Sequence, residues 1–221
     1  AAYILARRPG LAPICGKLKV HFARMGEPSL NDAVIDALEE LPGLCGAPNL
    51  MACVPTTAPK GREEWFERLL EVKRRLYSGR FQLQFSVNST DEAERARLMP
   101  ISLQTMDWMA AYAARFVERG DRKVSLNFAL AKETTFDERE IISRFSPDKA
   151  AVKITAVNPT AASAEAMIDS LDALSPDERT LEKIDSLRAA GYETLLSAGD
   201  GRENEIGSNC GQSVRLIRGS A

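Results

Sequence analysis

Three short segments of this chain alternate apolar with polar residues, yet helical patterns separate them, and that pairing excludes most folds. Phe81, Leu83, Phe85 and Val87 alternate with Gln82, Gln84 and Ser86. Val124, Leu126 and Phe128 alternate with Lys123, Ser125 and Asn127, and Val152, Ile154 and Ala156 with Lys153 and Thr155. A parallel strand covered by helices on both faces reads as nearly continuous apolar sequence. Two-residue alternation instead gives a strand one apolar and one polar face. An antiparallel sheet with a wet side would do the same, but the intervening helices argue for a closed or partial barrel. Its helices would cover the outside, and its polar lumen could hold a polar ligand. In parallel α/β folds ligands sit at the carboxyl ends of the strands.

Strands are expected at residues 17–23, 49–54, 81–87, 123–129, 151–157 and 192–197. Between them, Val34, Ile35, Leu38 and Leu41 share one helical face that Pro42-Gly43 should end. Residues 62–77 carry Trp65, Phe66, Leu69, Leu70, Val72 and Leu76, with Lys73-Arg74-Arg75 as a solvated carboxyl-terminal end. A third helix is expected over 103–119, its Met106, Trp108, Met109 and Tyr112 in the core. Asp137, Glu138 and Glu140 read as a solvated first turn. Ser175-Pro176-Asp177-Glu178 is a capping box opening a last helix that Gly191 closes. Residues 1–16 are expected to form a connecting helix or linker, 17–198 the barrel, and 199–221 a carboxyl-terminal loop and tail.

Charge and cysteines narrow the function. With 29 basic and 31 acidic side chains the net charge is −2. A chain that grips nucleic acid by itself usually has a basic excess. Cys15, Cys45, Cys53 and Cys210 are too widely spaced for a zinc site or a disulfide framework, so a reducing cytosol is expected and no metal ligand set is assigned. No apolar run is long enough for a membrane span. The sole histidine, His21, has no triad or metal partners nearby and is expected in the lumen or core.

The expected strand ends lead into Arg24-Met25-Gly26-Glu27-Pro28, Pro55-Thr56-Thr57-Ala58-Pro59, Asn88-Ser89-Thr90-Asp91 and Asn158-Pro159-Thr160. The last strand leads into Gly199-Asp200-Gly201-Arg202 and then Asn209-Cys210-Gly211-Gln212. Singly these are ordinary turns. Met-Gly-Glu-Pro, Ser-Val-Asn-Ser before an acidic helix and Arg97-Leu98-Met99-Pro100-Ile101, Asn-Pro, and Asn-Cys-Gly-Gln in this order resemble the radical S-adenosylmethionine (radical SAM) enzymes that methylate adenine carbons of ribosomal and transfer RNA. The resemblance covers about residues 17–212.

It implies an α/β fold, a partial parallel (β/α)6 barrel of the radical SAM type with its first strand missing. Two cofactors are implied, S-adenosylmethionine (SAM) and a [4Fe–4S] cluster, together with an external electron donor and an RNA partner. Gly26 and Glu27 would line the SAM site, the Glu27 carboxylate taking the ammonium of the methionine moiety. Thr56, where the family has serine, would bond the SAM carboxylate or ribose. Ser86, Val87 and Asn88 would continue the pocket, and Asn158 would contact SAM from the far side. Cys210 corresponds to the cysteine that carries the methyl group. The family's C-x3-C-x2-C cluster motif is absent from the sequence. The chain is therefore expected to be the carboxyl-terminal part of a longer protein, inactive alone. Asn88 stands where the methyltransferases usually have histidine. With the acidic balance, it favours one alternative, a radical SAM relative acting on a protein or small molecule; the other alternative is a non-radical barrel binding a nucleotide or phosphate.

Overall fold

A computed structural model describes residue 7 and residues 16–23, 26–46, 48–99, 101–130, 134–156 and 178–197 of the 221-residue chain. Six strands form one sheet: β1 (Leu18–His21), β2 (Leu50–Thr56), β3 (Phe81–Ser86), β4 (Val124–Leu130), β5 (Ala150–Ala156) and β6 (Thr194–Ser197). Their order in the sheet is their order in the chain, and every neighbouring pair is parallel. The helices are α1 (Ala33–Cys45), α2 (Glu63–Leu76), α3 (Glu92–Leu98), α4 (Met106–Phe116), α5 (Glu138–Arg144) and α6 (Glu178–Ala189). A 3-10 turn, Pro28–Leu30, follows β1. Parallel neighbours need a crossover connection, and these helices provide it. The sheet curls into a half-barrel, the α/β architecture expected.

The alternation in the sequence decides which face does what. Phe81, Leu83 and Phe85 are buried while Gln82, Gln84 and Ser86 are half-exposed, and β4 repeats the pattern. One hydrophobic core joins the apolar face of the strands to Ile35, Leu38, Phe66, Leu69, Met109, Tyr112, Phe116, Ile141, Ile184 and Leu187 from the helices. An aromatic group of Phe66, Trp108, Tyr112 and Phe116 packs edge-on and stacked between α2 and α4. Met106, Met109 and Tyr112 are core residues as expected.

Two local expectations need correction. Pro42 does not end α1; the helix continues to Cys45 and closes at Gly46 in the left-handed conformation. Proline lacks the amide that would bond the carbonyl four residues back. That carbonyl, on Leu38, instead accepts the Tyr77 hydroxyl at 2.6 Å, so the break in the ladder is repaired from another element. The cluster Lys73-Arg74-Arg75 is not solvated throughout, because Lys73 is buried. Its ammonium donates to the Phe116 carbonyl (2.7 Å) and to the carboxylates of Asp121 and Glu118, 5.2 Å from the Phe116 ring centre. Arg74 and Arg75 remain outside, paired with Glu118 and Glu39.

Candidate functional site

The carboxyl ends of β1 and β2 meet at Glu27. Its backbone is extended, and its side chain caps the turn that Pro28 opens. Glu27 Oε1 accepts the Ser29 amide (3.1 Å), the Ser29 hydroxyl (2.7 Å) and the Thr56 hydroxyl. Oε2 accepts the Thr57 amide (2.7 Å) and hydroxyl (2.9 Å). Five donors fix both oxygens, yet every one of them is neutral. Among the described residues no cation pairs with Glu27, so these bonds orient its carboxylate without cancelling its charge. Gly26 precedes it at φ +111°, a conformation natural to glycine, with open space where a Cβ would stand.

Thr56 is buried at the end of β2, and its oxygen also accepts the Ala58 amide (3.0 Å). The structure therefore gives the Thr56 hydroxyl a positioning contact to Glu27. Ala58 has positive φ (57°), and its carbonyl accepts the Gln104 amide at 2.8 Å, tying this lip to the segment before α4.

A second lip forms after β3. Ser86 lies on the half-exposed face, whereas the Val87 side chain is fully buried in the core, so only its backbone borders the lumen end. The amides of Val87 (2.9 Å) and Asn88 (3.3 Å) share the Asn127 carbonyl. Asn88 is left-handed (φ 64°), which asparagine tolerates better than most residues. Its Oδ1 accepts the Ala129 amide (3.3 Å), and Nδ2 approaches Met99 Sδ (3.5 Å). Ser89 and Thr90 then bond the Thr135 carbonyl, joining this lip to the segment before α5.

The structure thus brings Gly26, Glu27 and Thr56 into one cluster and Ser86, Val87 and Asn88 into another, both at strand ends. Asn158 and Cys210 lie outside the described residues, as does the Ser175-Pro176-Asp177 part of the capping box. Sequence reading missed Ser29 and Thr57 as the holders of Glu27. Their signal was Glu-Pro-Ser opening a turn and a threonine pair ending a strand. It put Lys153 on the polar face by alternation but did not single out Lys19 on the same face.

The cysteines Cys45 and Cys53 are free and buried, and burial raises both thiol pKa values. Among the described residues no group of three histidine, cysteine or acidic side chains could hold a metal. These residues therefore do not fit a [4Fe–4S] cluster. Among them, too, no helix is long and apolar enough to cross a membrane.

No protein-family model and no curated protein matches the sequence. A solved structure does. A radical SAM methyltransferase from Sphaerobacter thermophilus superposes with a TM-score of 0.65 at 20% identity, over 95% of this chain. The chain spans 58% of that protein's length. The half-barrel therefore shares its fold with that protein.

Proposed function

We propose that this chain forms the SAM-holding wall of a radical SAM methyltransferase that modifies adenine carbons in RNA. One observation carries the reading: Glu27 presents an oriented carboxylate at a strand end, held among the described residues by neutral donors only. A cofactor ammonium arriving there exchanges a threonine hydroxyl for a charge-assisted bond, roughly twice as strong as a neutral one. Gly26 allows the close approach of a ligand beside that carboxylate, and Ser86 and the Asn88 backbone would border the adenosine end from β3. The likeness to the Sphaerobacter methyltransferase supports the scaffold, and the motif order from Met25 to Gln212 supports the RNA-modifying branch.

SAM would supply an activated methyl group. An amidine carbon of adenine is not nucleophilic, so polar transfer from SAM does not reach it. In this reading the thiolate of Cys210 would take the methyl group first, its new S–CH3 bond replacing the sulfonium bond and releasing S-adenosylhomocysteine, because sulfur is a soft and ready nucleophile. Asn158 would orient SAM from the side opposite Glu27. The described residues hold no cluster, and an electron-transfer centre would have to come from elsewhere.

Calorimetric titration of the chain with SAM tests the cofactor site. Saturable binding is expected, and Glu27→Gln should weaken it about tenfold or more, since a charge-assisted hydrogen bond contributes about 1.5–3 kcal/mol. A urea midpoint measured alongside reports whether the lip still folds. Wild-type affinity in a folded Glu27→Gln protein would overturn the assignment. A methyl group on Cys210, sought by mass spectrometry in protein from its natural gene context, tests the carrier role.

A further inference from the structure

The lumen wall carries positive charge that the cofactor reading does not use. Gln82 registers with Cys53 and His21, which puts Lys19, two residues before His21, on the same concave face. Gln84 registers with Ser125, and Asn127, on that face, registers with Lys153. The strand positions of this face are Lys19, His21, Met51, Cys53, Pro55, Gln82, Gln84, Ser86, Ser125, Asn127, Ala129, Ala151, Lys153, Thr155, Leu195 and Ser197. They include two lysines and no carboxylate. Neither lysine has an acidic partner among the described residues.

The two ammonium groups feel one another. Burial, and after it the charge of Lys19, hold the Lys153 amine below its ordinary pKa. Burial raises the Cys53 thiol pKa, and the charge of Lys19 and its bond to the thiol, with the charges of Arg122 and Lys17, pull it back. Arg122 donates to Gln82 Oε1 at 2.8 Å, and Thr155 to Asn127 Oδ1 at 3.0 Å, so both ends of the row are ordered. Lys19 is exposed and Lys153 half-buried; a half-buried ammonium beside a like charge costs stability, and among the described residues no carboxylate repays it. An anion does.

We propose that Lys19 and Lys153 form a binding site for the phosphate of a phosphorylated ligand that enters the half-barrel, separate from the strand-end cluster around Glu27. Both lysines lie within their strands, whereas Glu27, Thr56, Ser86 and Asn88 lie at or beyond strand ends. Two ammonium groups match a phosphate better than a singly charged carboxylate. The site requires no cluster chemistry and stands apart from the cofactor proposal.

The test titrates the chain with adenosine 5′-monophosphate, adenosine, inorganic phosphate, acetate and S-adenosylhomocysteine. Adenosine 5′-monophosphate should bind saturably and about tenfold or more tighter than adenosine, and added salt should weaken it. Lys19→Met and Lys153→Met should each weaken it about tenfold, with S-adenosylhomocysteine binding unchanged. Lys153→Met should also raise Tm, because a desolvated charge beside a like charge is removed. Equal affinity for adenosine and its monophosphate would overturn the site, as would acetate competing as well as phosphate. Loss of S-adenosylhomocysteine binding in the lysine variants would overturn it by assigning the amines to the cofactor carboxylate. A fall in Tm for Lys153→Met with phosphate binding intact would make the lysine structural and also overturn it. If the Glu27 assignment fails and S-adenosylhomocysteine does not bind, the adenosine monophosphate, adenosine, phosphate, acetate and Tm outcomes still decide the lysine site.

Discussion

Lys73 and Asp121 show how a single buried ion pair ties three elements together. Lys73 on α2 reaches the last carbonyl of α4, while Asp121, in the loop before β4, accepts Lys73, the Gly79 amide (2.8 Å) and the Glu118 amide (3.0 Å). Removing one partner strands the other charge away from water, which costs about 3–5 kcal/mol for a buried pair. Lys73→Met should therefore lower the unfolding free energy read from urea denaturation by that order. Burial works to raise the Asp121 pKa, but the bonds from Lys73, Gly79 and Glu118 outweigh it and hold it below the ordinary value. A carboxyl with a depressed native pKa adds stability that is fully present above its unfolded pKa, about 3.9, and is lost as pH falls through the native value. Urea midpoints measured from about pH 6 down to about pH 3 should fall less steeply for Asp121→Asn than for wild type. Nothing in Lys73-Arg74-Arg75 distinguishes the buried cation from its solvated neighbours. The distinction depends on Asp121, 48 residues away, and local charge patterning carries no such information. Glu27 was legible through the Met-Gly-Glu-Pro motif, but its Thr56 and Thr57 donors join it only when β1 and β2 pair.

At the scale of elements, Pro42 and Tyr77 form a compensated break. The Leu38 carbonyl loses its helical donor to proline and recovers one from tyrosine. Burial raises the Tyr77 pKa to about 12, in keeping with a hydroxyl held as a donor. Tyr77→Phe leaves that carbonyl buried without a partner and should cost about 1–3 kcal/mol in urea unfolding. In a Pro42→Ala background, where the helix supplies its own amide, the same change should cost less. A double-mutant cycle reads the difference directly. The strands were legible because their two-residue period depends only on which face is buried: observed β3 and β5 lie within a residue of their expected bounds. The end of α1 was not legible, because the residue that excuses Pro42 belongs to the loop after α2.

At the scale of the molecule, the half-barrel has two unpaired margins among the described residues, β1 and β6, while β2 to β5 are paired on both sides. Amide exchange should follow this division, with β1 and β6 exchanging about tenfold or more faster than β3 and β4. Uniform protection across all six strands would contradict it. The sheet's order also bears on how the protein is made. Because neighbours in space are successive in sequence, a chain emerging from the ribosome can lay each new strand beside the one just completed. No strand must be held in reserve for a partner not yet synthesised. Growth by accretion of this kind keeps loop-closure costs small at every stage and leaves one fresh margin exposed at a time, the place where a chaperone would find its grip.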